Sequence, residues 1–144
     1  MMSGESMQYH ISFDLDFKRN TYPGRFIVLE GIDGSGKTTQ ARIIAQKLPN
    51  AVYTKEPTTG PVGKFIREGI AGGGSLPPPA IQHLLAADRA MHEEEIKSIL
   101  QKGTIVVSDR YLWSSVPYGL ADRDEFSNNT GSVLLAAQSI LSMY

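Results

Sequence analysis

Phe26-Ile27-Val28-Leu29-Glu30-Gly31-Ile32-Asp33-Gly34-Ser35-Gly36-Lys37-Thr38-Thr39 is a short apolar run, then the spacing G-x-x-x-x-G-K-T, then a helix-like segment. That order is what a phosphate-binding loop requires. The glycines let the backbone turn inward, so that its N–H groups point at phosphate oxygens. The following helix adds the positive end of its dipole. Lys37 supplies a mobile cation for β- and γ-phosphates, and Thr38 a hydroxyl for Mg2+. A glycine-rich surface turn would not need Lys37 and Thr38 at these places. The stretch is therefore read as a site for a nucleoside triphosphate.

On both sides of this stretch, strand-like and helix-like segments alternate. Phe26 to Glu30 reads as a buried strand. Gly36 to Leu48 reads as a helix with Ala41, Ile44, Ala45 and Leu48 at helical spacing, ended by Pro49-Asn50. Ala51 to Glu56 is a second strand, stopped by Pro57. Pro61 to Ile70 is a short helix with Val62, Phe65, Ile66 and Ile70 on one side. Gly72 to Gly74 and Pro77 to Pro79 are expected in a loop, Ala80 to Gln101 in a long helix and Thr104 to Ser108 in a third strand. Trp113 to Leu120 and Ser132 to Met143 also read as helical. Strands separated by helices imply a parallel α/β sheet with right-handed crossovers. Residues 1–23 read as an extension closed by Pro23-Gly24, with Ile11, Phe13, Leu15 and Phe17 in strand-like alternation. Residues 24–144 form the domain.

Each strand ends in chemically useful residues: the phosphate loop at Gly31, the carboxylate of Glu56, and the pair Asp109-Arg110. In parallel α/β sheets the ligand site lies beyond the carboxyl ends of the strands, so the three termini are expected to face one cleft. Polar turns after strands are common, but they do not explain an acid beside an arginine directly after Ile-Val-Val.

Bulk composition narrows the function classes. A chain of 144 residues fits one domain with a real core, and 41% hydrophobic residues is ordinary for a globular protein. A net charge of −1 creates no global field toward nucleic acid or an anionic membrane, so phosphate binding must be local. The absence of cysteine excludes disulfides and thiolate metal sites. His10, His83 and His92 have no ligand spacing, and His83 and His92 read as structural or exposed. No apolar run approaches a membrane span, and no signal-peptide core is present, so a cytoplasmic protein is expected.

Four ordered stretches resemble the thymidylate kinase family of P-loop nucleoside monophosphate kinases. Gly31 to Thr39 looks like its phosphate loop. Glu56-Pro57-Thr58-Thr59-Gly60, with Gly63 and Ile66-Arg67, looks like its E-P-x-x-T/G…G-x-x-I-R segment. Leu84 to His92, with Asp88-Arg89, is similar to its L-F-x-A-D-R-x-x-H helix. Asp109-Arg110-Tyr111 followed by Ser114, Ser115 and Tyr118 resembles D-R-Y-x-x-S-S-x-A-Y. The resemblance spans residues 26 to about 120 and implies a P-loop three-layer α/β/α fold around a parallel sheet.

It also implies roles. Gly31, Ile32, Asp33, Gly34, Ser35, Gly36, Lys37, Thr38 and Thr39 would hold ATP; Thr38 and Asp109 would hold Mg2+. Arg110 would lie between donor and acceptor phosphates, where a planar fork of donors bridges them. Lys37, Asp109 and Arg110 are thus the expected catalytic set. Arg67 would hold the dTMP phosphate, with Asp33 and Glu56 lining the site and Arg89 reading a thymine carbonyl. Leu85 would cover the base, Ser114 and Ser115 would contact substrate, and Tyr118 would crowd the sugar 2′ position. Asp88 and Arg89 could otherwise form a solvated helix face, Tyr118 could be core, and Arg67 could pair with a surface acid.

The sequence departs from the family pattern in two ways. Leu85 stands where a stacking phenylalanine is usual, and Pro117 and Gly119 replace the alanine and glutamine beside Tyr118, which leaves base selectivity open. Family members also continue past residue 144 with a lid and further strands, so the chain is expected to be a truncated copy or fragment. The alternatives are a non-catalytic nucleotide-binding fragment and a kinase for another nucleoside monophosphate. A GTPase is disfavoured, because neither N-K-x-D nor a D-x-x-G switch is present. Homodimers are common in the family; no nucleic-acid or membrane partner is expected.

Overall fold

A computed structural model describes residues 19–72 and 76–114. Three strands, β1 (Phe26–Leu29), β2 (Ala51–Lys55) and β3 (Ile105–Asp109), alternate with α1 (Lys37–Lys47), α2 (Pro61–Ala71) and α3 (Pro78–Gln101). The sheet order is β1-β3-β2, and both pairings are parallel. Leu29 lies opposite Asp109, and Asp109 opposite Lys55, so the three strands end at one level.

The central position of β3 follows from its residues. Val106 and Val107 are adjacent and both fully buried. Neighbouring strand residues point to opposite faces, so both faces of β3 are covered. Ile96 and Leu100 of α3 pack against Val106, joined by Tyr22, Phe26, Ile99 and Tyr111. Helix α1 packs on β2 and β3, with Ala41 fully buried. The layered α/β architecture with a parallel sheet is therefore present. Tyr22, at the end of the expected extension, belongs to this packing, and Asn20 donates to the Gly24 carbonyl at 2.9 Å.

Two expectations are corrected. Pro78 and Pro79 lie in the first turn of α3 and not in the preceding loop. A first-turn proline has no N–H to leave unpaired and carries a helical φ already. On α2, Ile66 is fully buried, but Phe65 and Ile70 are more than half exposed. The buried stripe of α2 runs through Gly63, Ile66 and Gly69, because two glycines bring its backbone close to its neighbours. Residues 112–114 are helical; the rest of the segment expected at Trp113 to Leu120, the Ser132 to Met143 segment and residues 1–18 lie outside the described residues.

Candidate active site

The loop after β1 is shaped by left-handed backbone at Gly34 (φ 78°) and Gly36 (φ 84°). L side chains rarely adopt these angles, so the motif's glycines are required by the turn itself. Gly36 precedes the first turn of α1, whose N–H groups have no partner earlier in the helix. Lys37 is largely buried and folds back over the loop, donating to the Ile32 carbonyl at 2.5 Å and the Ser35 hydroxyl at 3.4 Å. Ile32 itself is 81% exposed, so the loop is open to solvent at its crest.

Thr38 and Asp109, 71 residues apart, meet at the end of the sheet: the Thr38 hydroxyl donates to Asp109 Oδ2. Asp109 Oδ1 is buried without a hydrogen-bond partner. A buried carboxylate oxygen without a donor is costly, and a hard cation placed there would satisfy it. Among the described residues no group of three or more His, Cys, Asp and Glu is placed to hold a metal. Magnesium suits such a sparse donor set, because it usually takes one or two carboxylates and completes its shell with water and phosphate.

Arg110 is the one arginine of the described residues with left-handed backbone (φ 74°). Its N–H donates to the Leu29 carbonyl at 3.0 Å, and its own carbonyl accepts from the Ser108 hydroxyl at 2.7 Å. The guanidinium reaches back to the loop, pairing with Asp33 through Nη2 and donating to Ser114 Oγ at 3.0 Å through Nη1. Backbone strain in a non-glycine residue at a sheet end is a mark of functional sites.

The β2 end builds a second layer. Glu56 donates its N–H to the Asp109 carbonyl at 3.1 Å, so the β2 and β3 ends are adjacent. Its carboxylate is buried between Arg89 Nε (2.8 Å) and His92 Nδ1 (3.1 Å). Arg89 also donates to the Tyr111 carbonyl at 3.2 Å and lies 5.6 Å from the Tyr111 ring centroid. Asp88 and Arg89 are both nearly inaccessible, so they are not a solvated helix face. Asp88 accepts from the Thr58 N–H (2.7 Å) and hydroxyl (2.6 Å). Arg67 holds the same loop, donating to the Pro57 carbonyl at 2.9 Å and to the Thr58 carbonyl, not to a surface acid.

The structure thus brings Lys37, Thr38, Asp109, Arg110, Asp33 and Ser114 together, with Glu56 and Arg89 behind them through Tyr111. Leu85 is half-buried on α3 and Thr39 is exposed on α1. Ser115, Tyr118, Pro117 and Gly119 lie outside the described residues. Sequence reasoning missed Glu30, Thr58 and Ser108 as network members, and it gave His92 no partner. His92 is buried and bridges Glu56 to Thr54 Oγ1 at 2.6 Å. Its position four residues after Asp88, on the same helix face, was the available signal.

A family model of thymidylate kinase matches residues 29–133. The chain belongs to the thymidylate kinase family. A probable thymidylate kinase of Methanococcus vannielii is 54% identical over 94 residues, covering 65% of this chain and 46% of the relative. One from Thermococcus kodakarensis is 48% identical over 106 residues, covering 65% of this chain and 52% of the relative. Among solved structures, a thymidylate kinase from Candida albicans matches with a TM-score of 0.70 at 30% identity, over 86% of this chain and 58% of that one. Another, from Ehrlichia chaffeensis, matches with a TM-score of 0.66 at 27% identity, over 84% and 68%. The chain spans about half the length of the curated relatives it matches. Among the described residues, no helix is long and apolar enough to cross a membrane.

Proposed function

We propose that the protein transfers the γ-phosphoryl group of ATP to dTMP, giving dTDP and ADP, with Mg2+ as cofactor. The observation that carries this is the meeting of Thr38, Asp109 and Arg110 beside the phosphate loop, in a chain of thymidylate kinase family. Lys37 and the N–H groups of the loop through Thr39 hold the donor phosphates. Lys37 leaves its resting partners Ile32 and Ser35 to do so. Thr38 and Asp109 would hold the ion, which would supply neutralisation of phosphate charge.

Arg110 sits between the loop and the acceptor side, where its fork of donors bridges the two phosphates. Arg67, held against the Pro57–Thr58 carbonyls, carries the acceptor phosphate. Arg89, with Glu56 behind it, addresses the base, and Leu85 covers it. Ser114 contacts the acceptor, and the family pattern gives Ser115 and Tyr118 substrate contacts as well. No general base is needed, because the accepting phosphate is already an anion; catalysis rests on positioning and charge neutralisation. The same reading has the protein acting in the cytoplasm, as a homodimer, with no nucleic-acid partner.

The test is a product-resolved transfer assay with labelled ATP and dTMP, dUMP or dGMP as acceptor. Label is expected in dTDP in preference to the other diphosphates. Label in another diphosphate alone would reassign the acceptor, and none in any diphosphate would overturn the transfer reaction for this chain.

A further inference from the structure

Glu30 follows β1 immediately before the phosphate loop, and the reaction outlined above gives it no task. Its carboxylate is wholly occupied by the segment after β3, more than 80 residues along the chain. Oε1 accepts from the backbone N–H of Tyr111 at 2.9 Å and of Ser114 at 3.2 Å, and Oε2 accepts from the Ser114 hydroxyl. The two N–H groups flank the helical turn at residues 112–114, and the Ser114 N–H is shared between Glu30 and the Tyr111 carbonyl at 3.3 Å. Because the Ser114 proton goes to Glu30, the Ser114 oxygen keeps its lone pairs for Arg110 Nη1 at 3.0 Å.

We propose that Glu30 is a positioning residue that aims Arg110 at the phosphate loop, acting through Ser114. Arg110 is held at several points along its length: N–H by Leu29, carbonyl by Ser108, Nη1 by Ser114 and Nη2 by Asp33. Of these, the Asp33 carboxylate is on an 82% exposed side chain, and the Ser114 contact is the more enclosed. The left-handed backbone of Arg110 is an unfavourable conformation for arginine and persists only where its surroundings over-determine it. The Glu30 link supplies that constraint from the strand that carries the phosphate loop. The loop and the arginine therefore move as one piece. The role rests on the proposed phosphoryl transfer only for the purpose of the aim; the link itself is tested without any reaction.

The experiment is side-chain 15N NMR of the full chain, with the Arg110 Nη–Hη resonances assigned through Arg110→Lys. In the wild type they are expected as dispersed, slowly exchanging signals. In Glu30→Gln, which replaces one acceptor oxygen with a donor, Arg110 alone is expected to lose dispersion, while the Arg67 and Arg89 signals stay in place. Ser114→Ala is expected to do the same and serves where Glu30→Gln does not fold. If the reaction is also confirmed, Glu30→Gln lowers kcat roughly ten- to hundredfold with KM for ATP little changed, as expected for a displaced catalytic group. An unmoved Arg110 signal in a folded Glu30→Gln or Ser114→Ala protein would overturn the proposal, whatever the assay for transfer shows. Equal loss at Arg67 and Arg89 would overturn it too, since Glu30 would then be supporting the fold at large.

Discussion

Glu56→Ala should be among the most destabilising single changes in this chain. The carboxylate is the common partner of Arg89 at 2.8 Å and His92 at 3.1 Å, and the Arg89 and Glu56 side chains are each only 4% exposed. Its removal takes the Glu56 carboxylate away from the buried Arg89 guanidinium, which keeps the Tyr111 carbonyl and ring. Breaking a buried pair from one side costs about 3–5 kcal/mol, because the remaining charge is uncompensated. With a urea m-value of about 2 kcal/mol/M, the midpoint falls by about 2 M at unchanged m. Lys64→Ala is the control. Its pair with Glu68 spans 3.8 Å with both side chains more than 60% exposed. Such pairs are worth at most about 1 kcal/mol, so its midpoint moves by no more than about 0.5 M. The double variant Glu56→Ala/Arg89→Met should lose less than the sum of its single variants, because no charge is left stranded. A Glu56→Ala midpoint within the range of Lys64→Ala, or strict additivity in the double variant, would refute the reasoning.

Three further outcomes follow from the site. Asp109→Asn removes the anion beside Thr38, so ATP affinity should no longer rise when Mg2+ is added; calorimetric titration with and without the ion checks this. Arg67→Ala should weaken dTMP binding about ten- to hundredfold while ATP binding stays within about twofold, read by separate titrations of the two ligands. Gly63→Ala should destabilise by about 1–3 kcal/mol in urea unfolding, because the added methyl would overlap the Thr58 backbone, including its nitrogen at 2.7 Å.

The strands and the phosphate loop were legible because their signals are local. Ile105 to Val107 is an apolar run suited to a sheet covered on both faces, Ile27 to Leu29 is a similar run that is half-buried in β1, and Lys37-Thr38 sit at fixed offsets from the loop glycines. The convergence of Gly31, Glu56 and Asp109-Arg110 followed from the direction of parallel strands, and the pairing of Leu29 with Asp109 and of Asp109 with Lys55 bears it out. The network behind the site was not legible. Glu30 with Ser114, Asp88 with Thr58 and Glu56 with His92 join residues 30 or more positions apart through single side chains. Helical spacing could mark His92 as sharing a face with Asp88, but it does not name Glu56 or any other partner on a distant segment. Phe65 misled because helical spacing marks an apolar stripe but not its centre. Gly63 and Gly69, which carry no hydropathic signal, set where α2 touches its neighbours.

The most direct test is calorimetric titration of ATP with Mg2+ into the wild-type chain and into Lys37→Ala. Saturable one-site binding is expected in the wild type and an affinity lower by about ten- to hundredfold in the variant, the loss expected for one charge-assisted contact to phosphate. Equal affinity in the two proteins, or no binding by the folded wild type, would contradict a triphosphate site built on Gly31 to Thr39.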